Sequence, residues 1–248
     1  MTLLSTSNAK LAKTNGKTKY LITSLMLAPA RMSGRNVCKH HNEWCSDPCV
    51  AHTGHGSMPA TVAARIRRTN LFFDDRDTFA ALLAKDLFAH IRKCEREGLV
   101  PCVRLNTFSD IPWERTPMLI DGVKTTVIDA FADDVVFYDY TKYPVTERVS
   151  TDRYHLTYSA SGFNMEACMD ALSMGHNIAV VFDTLKGEAL PRMFHGFPVV
   201  DGDASDLRFL DPAAHVVGLR AKAVSNARLR AMVKTPFVYS ATGEHVEV

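Results

Sequence analysis

Apolar runs rich in β-branched residues alternate along this chain with polar turns and with segments of helical periodicity, and that alternation constrains the fold more than any other feature. TKYLITSLMLAP, Thr18 to Pro29, reads as a first strand that ends at a proline. LVPCVRLN (Leu99 to Asn106), VVFYDY (Val135 to Tyr140), RYHLTYS (Arg153 to Ser159), HNIAVVFD (His176 to Asp183), FPVVDGD and HVVGLRAK (His215 to Lys222) read as later strands. MPATVAARIRRTNLFF, with Pro59 near its first turn, reads as a helix with Val62 and Ile66 on one face. In DDRDTFAALLAKDLFAHIRKCEREG, Phe79, Leu83, Leu87 and Ile91 recur a turn apart and Gly98 stops the helix. NMEACMDALSMG reads as another helix, Thr116 to Phe131 as helical in its second half, and the tail as one short helix that then frays.

Parallel strands covered on both faces read as unbroken apolar runs, and ligands meet their carboxyl ends. The expectation is an α/β protein, a full or partial (β/α) barrel with mainly parallel strands. A doubly wound sheet is the alternative, although no glycine-rich dinucleotide fingerprint follows the first strand. The 248 residues suit one barrel-like domain over 18–248, behind a polar arm at 1–17 in which Asn8 to Lys13 could turn once as a helix. A formal charge of +2 does not by itself mark a nucleic-acid protein. No apolar run approaches the roughly 18 residues of a membrane helix, and no leader peptide is expected, so the cytoplasm is the expected compartment.

The cysteine loop, residues 34–56, follows the first strand and is too long to be an ordinary connection. Cys38, Cys45 and Cys49 fall in it as C-x6-C-x3-C. Three thiolates so spaced could ligate a [4Fe–4S] cluster and leave one iron open. Zinc is the alternative metal, with His40, His41, His52 or His55 completing a shell of three cysteines and one histidine. Trp44 packs the loop, and His52 lines the site or caps the next helix. Cys94, Cys102 and Cys168 share no spacing with the loop and read as small buried side chains.

Polar residues gather at the strand ends. Asn106, Ser109 and Asp110 could hold a cofactor or substrate hydroxyl. Trp113 and Glu114 could contact a ring. Asp139 and Lys142 read as a charged pair on a surface rim. Ser159, Ser161 and Gly162, with Asn164 before a helix, could meet an anion or simply cap that helix. Asp201, Asp203 and Asp206 could bind hydroxyls or basic groups, with Arg208 pairing one of them. Arg65, Arg67 and Arg68, with Arg35 and Lys39, form a basic zone that could touch a phosphate backbone, which keeps nucleic acid among the partners.

The cysteine loop after strand one resembles that of the radical S-adenosylmethionine enzymes, whose usual spacing is C-x3-C-x2-C. That resemblance implies a barrel, often partial, with a cluster on Cys38, Cys45 and Cys49 whose open iron chelates the amino and carboxylate groups of S-adenosylmethionine. Asn106, Ser109, Asp110, Ser159 and Asp201 would then line the cofactor pocket. LSTSNAKLAKTNG, LMLAPARMSGRNVC, ARIRRTNLFF, VRLNTFSDIPWE, DGDASDLRFLDP and VVGLRAK resemble the bacteriophage gene product 88 family across almost the whole chain, which implies a phage or prophage origin. The leading expectation is an iron–sulfur radical enzyme acting on an unknown substrate, with a nucleotide or nucleic acid among the options. The alternatives are a zinc- or cluster-stabilised binding protein and a zinc hydrolase, so enzyme and binding protein both stay open.

Overall fold

The computed structural model describes residues 1–6, 11, 14–46, 49, 51, 54–222 and 225–242. The helical turn expected at Asn8 to Lys13, and His52, lie outside the described residues. The chain divides into two compact units, each discontinuous in sequence: residues 1–39, 59–139 and 151–155 form the first, and 40–58, 140–150 and 156–248 the second.

In the first unit β1 (Leu4–Ser5) lies antiparallel to β2 (Tyr20–Leu25), with Leu4 opposite Leu25. β3 (Val100–Arg104) runs parallel to β2, with Ile22 opposite Cys102. The hairpin β4 (Pro117–Ile120) and β5 (Val123–Thr126) comes next and pairs only within itself. β6 (Val136–Thr141, whose last two residues belong to the second unit) then pairs parallel with β3 through Val136 and Phe137. The helix Arg76–Glu97 is capped by the Asp75 side chain, which accepts the Thr78 N–H, and it ends at Gly98. Its buried stripe is Phe79, Leu83, Leu87, His90 and Cys94 rather than a row reaching Ile91. The helix Pro59–Asp74 buries Arg65, Thr69 and Phe72, while Val62 and Ile66 are half-buried. Phe72 meets Trp113 edge-on at 5.4 Å, and Trp113 stacks on Phe79 at 6.3 Å, so Trp113 belongs to the core rather than to a ring-binding surface.

The β4–β5 hairpin occupies residues expected to precede or begin a helix. Its two-residue turn is Asp121-Gly122, with φ of +48° and +79°. That is the paired left-handed geometry a tight hairpin needs, and glycine takes it without a Cβ clash. The helix that follows is confined to Val127–Phe131, capped by Thr126.

In the second unit β7 (Tyr154–Ser159, whose first two residues belong to the first unit) pairs parallel with β8 (Ile178–Phe182). β9 (Met193–Phe194) and β10 (Phe197–Asp201) form an antiparallel hairpin, and β10 runs parallel to β11 (Val216–Arg220), which pairs with β8. β12 (Val238–Tyr239), in the tail expected to fray, pairs with Val181 and Phe182 beyond the stretch of β8 that β7 covers. The helix Met165–Ser173 packs Cys168, Ala171 and Leu172 on Ile178, Val180 and Phe182. Gly162, at φ +92°, brings the turn after β7 against Pro236, where an added Cβ would meet backbone at 2.9 Å.

The fold is thus α/β with mostly parallel strands, and within neither unit does the strand order close on itself, so no closed barrel is found among the described residues. No described helix is long and apolar enough to cross a membrane.

Burial holds the His90, His155 and His176 rings below the ordinary imidazole value. The unfolded chain therefore takes up protons on these residues first, as the pH falls through about 6.5, and the native state loses stability below that point. The thermal midpoint is expected to be flat just above neutrality and to fall as the pH drops below about 6.5. In His90→Gln, measured by circular dichroism, the fall should be shallower.

Candidate functional site

Asp139, near the carboxyl end of β6, is completely buried. Its Oδ2 accepts the Tyr154 hydroxyl at 2.5 Å and the Leu105 N–H at 3.2 Å, and its Oδ1 accepts the Asn106 N–H at 2.8 Å. The Arg104 Nε stands 3.9 Å from Oδ1. Asp139 is therefore an internal anchor rather than a carboxylate on a surface rim. The reason is local: the chain leaving β3 has two N–H groups in the interior that need an acceptor, and a carboxylate on the neighbouring strand supplies both.

Asn106 extends this network into the next loop. Its Nδ2 donates to the Ile111 carbonyl at 2.9 Å and to the Tyr154 hydroxyl at 3.3 Å. Its Oδ1 receives Ser109 Oγ at 2.8 Å, the Ile111 N–H at 2.9 Å and Trp113 Nε1 at 3.1 Å. Asn106 and Ser109 thus spend these hydrogen bonds inside the loop, shaping residues 106–113.

Cys38 docks on this loop. The Asp110 N–H donates to the Val37 carbonyl at 2.8 Å, Cys38 and Asp110 form an isolated parallel bridge, and Cys38 Sγ lies 3.6 Å from the Phe108 carbonyl. The Cys38 N–H is held by Asn36 Oδ1 at 3.0 Å. The first cysteine and the polar run after β3, far apart in sequence, therefore share one corner of the first unit. Thr107 Oγ1, also in this corner, is sealed from solvent and has no hydrogen-bond partner among the described residues.

The second unit holds the rest of the cysteine loop. Asn42 Oδ1 accepts the Cys45 N–H at 3.0 Å and so caps the helical turn Glu43–Ser46, while the Asn42 N–H points at Cys45 Sγ, 3.4 Å away. Asn42 Nδ2 donates to the Ser161 carbonyl at 3.0 Å. Asn164 closes the same turn after β7, receiving the Ser161 N–H at 2.7 Å and donating to the Ser159 carbonyl at 2.9 Å. Cys45 is therefore tied to the carboxyl end of β7, where Ser159 ends the strand. His40 meets Tyr143 edge-on at 4.4 Å, and its Nε2 is 3.4 Å from the Glu147 carboxylate. Trp44 leans on the exposed Phe163, with ring centroids 6.5 Å apart. His41 Nδ1, Trp44 Nε1 and Ser46 Oγ are sealed from solvent with no hydrogen-bond partner among the described residues.

Cys49 is half-buried, and none of the six cysteines forms a disulfide. Among the described residues no group of three or more His, Cys, Asp or Glu side chains stands ready to hold a metal ion. Burial pushes the Cys94 thiol up to about 11 and the Cys168 thiol to about 12, and raises Cys102 as well, in keeping with inert core thiols.

Asp201, the last residue of β10 in the second unit, lies in a charged cluster. Arg220 Nη1 is 3.0 Å from both Asp201 oxygens and 3.4 Å from Asp203, which also pairs with Lys222. Arg208 pairs with Asp211 at 3.2 Å rather than with Asp201, Asp203 or Asp206. The basic zone also divides. Arg65 is buried beneath Phe108, 5.2 Å from its ring, and Arg35 pairs with Asp74 at 2.7 Å.

The family model for Gene product 88 matches residues 2–235. The chain belongs to the Gene product 88 family. No curated protein and no solved structure matches it. In this Gene product 88 chain sequence reasoning missed Asn42 and Glu147, which steady the cysteine loop, and the anchoring role of Asp139, which steadies its neighbour. Asn42 was legible as an Asx cap three residues before Cys45, whereas the strand neighbours of Asp139 are set only by the fold.

Asn106→Ala removes one acceptor shared by three buried donors, and it should cost about 3 kcal/mol in urea unfolding. Asp201→Asn, in a partly exposed ion-pair cluster, should cost under about 1 kcal/mol.

Proposed function

We propose that this chain is an iron–sulfur enzyme that binds S-adenosylmethionine, with Cys38, Cys45 and Cys49 as the cluster ligands. The observation that carries this reading is the set of sealed polar atoms around Cys45: His41 Nδ1, Trp44 Nε1 and Ser46 Oγ. A buried polar atom without a partner costs about 1–3 kcal/mol, so three within six residues of one loop favour a bound group there. The Asn42 N–H directed at Cys45 Sγ adds to this, because hydrogen bonds to sulfur stabilise a ligating thiolate. Cys38, for its part, stands beside Phe108 and Asp110, whose loop is suited to meet the polar groups of the cofactor. Asn106 and Ser109 serve as the frame of that loop, and Ser159 ends the strand to which Cys45 is tied. Asp201, which the resemblance to the radical S-adenosylmethionine enzymes adds to the pocket, is paired with Arg220. When bound, the cluster would supply the electron that cleaves a carbon–sulfur bond of the cofactor sulfonium.

A second reading is favoured by His41. An imidazole nitrogen beside cysteines is a zinc ligand type, and a shell of three thiolates and one imidazole would make the loop a structural clip on a binding protein. Open coordination at zinc would instead suit a hydrolase.

Anaerobic purification followed by metal and sulfide analysis separates these readings. The proposal expects a brown protein with about four irons and four sulfides per chain, lost in Cys45→Ala and in Cys38→Ala. A colourless protein carrying one tightly held zinc, released in His41→Ala, overturns it in favour of the zinc clip.

A further inference from the structure

A cavity of about 630 Å³ lies in the first unit between the N-terminal strand and the two long helices. Its walls include Arg67 and Arg68 from the helix Pro59–Asp74, Asp86 and Lys93 from the helix Arg76–Glu97, and Ser5 and Thr23 from β1 and β2. Three cations therefore face one carboxylate. That carboxylate is already engaged: Asp86 Oδ2 accepts the Leu3 N–H at 2.6 Å and the Leu4 N–H at 3.0 Å, which fastens β1 to the helix. Arg68 spends its Nε on the Thr2 carbonyl at 3.2 Å. Arg67 and Lys93 form no ion pair among the described residues. Burial and the adjacent Arg67 pull the Arg68 guanidinium below its usual value while Asp86 partly offsets them, and positive side chains outnumber negative ones on this wall.

An excess of positive charge on one wall favours a bound anion. A concave, low-dielectric wall lined by one sign of charge concentrates the opposite sign. Guanidinium groups suit phosphate oxygens through paired hydrogen bonds, an ammonium adds a point charge, and Thr23 adds a hydroxyl to the wall. The volume falls in the range of small-molecule sites, and Leu4, Ala64 and Ala89 add apolar surface that a bare phosphate would not need. We propose that this cavity binds a phosphorylated small molecule of nucleotide size, its phosphate held by Arg67, Arg68 and Lys93. The site is independent of the cysteine loop and of any metal there.

Isothermal calorimetry on the full chain tests this with adenosine 5′-monophosphate, adenosine, inorganic phosphate and a single-stranded oligodeoxythymidine as probes. The expected result is binding of adenosine 5′-monophosphate that is weakened at least about tenfold in Arg67→Gln/Lys93→Gln and weakened by added salt. Arg67 is exposed and Lys93 half-buried, and neither forms an ion pair among the described residues, so the variant should keep its circular dichroism spectrum and melt. Inorganic phosphate should bind more weakly through the same residues, and adenosine should not bind. Equal binding of adenosine and its monophosphate, or unchanged affinity in the folded variant, overturns the proposal. Oligonucleotide binding lost in that variant, with no binding of the mononucleotide, overturns it in favour of a nucleic-acid backbone.

Discussion

A carboxylate with no exposed surface organises the first unit. Asp139 remains inside because it is surrounded by donors: two backbone N–H groups from the end of β3 and the Tyr154 hydroxyl. A carboxyl group so deep is tolerated only when its hydrogen bonds replace those of water. The arrangement works in both directions. Asp139 gives the chain leaving β3 somewhere to place its amides, and that turn in turn directs Asn106 into the loop, where it gathers Ser109, Ile111 and Trp113. Trp113 then fills the core between Phe72 and Phe79, so a polar anchor and an apolar cluster hold the same loop from two sides.

Cys38 inherits its position from that loop. Its strand-like bridge to Asp110 exists because residues 106–111 are held in one conformation, and the network holding them lies on elements distant in sequence. The second unit solves a similar problem with a single side chain. Asn42 caps one helical turn with its carbonyl oxygen and grips the turn after β7 with its amide nitrogen, so Cys45 is placed by one residue that reads two elements. Both cysteines are thus placed by hydrogen bonds that reach the backbone of segments distant in sequence.

Much of the framework was legible because periodic burial is a local property. The helix Arg76–Glu97 was readable from its repeating Phe79, Leu83 and Leu87 and from Gly98, and the strands from their continuous apolar runs. The β4–β5 hairpin was missed although Asp121-Gly122 is a strong turn signal, since the flanking strands are too short to display alternation. β12 is two residues long, and β8 alone makes it a strand. Arg65, Arg67 and Arg68 looked like one basic face. Helical geometry turned Arg65 inward onto Phe108 and left Arg67 and Arg68 on the cavity wall with Lys93.

The amino-acid sequence by itself determined the alternation of strands and helices, the length of the cysteine loop and the burial of Cys94, Cys102 and Cys168, because each follows from composition and spacing along a short stretch of chain. Only the tertiary structure decided that Asp139 is an anchor, that Asn106 and Ser109 shape a loop, that Asp201 belongs to an Arg220 cluster and that three cations share a cavity with one occupied carboxylate. These outcomes depend on which polar groups meet when distant segments pack. The energy of a buried charge or hydrogen bond is set by those partners and not by the residues beside it in sequence.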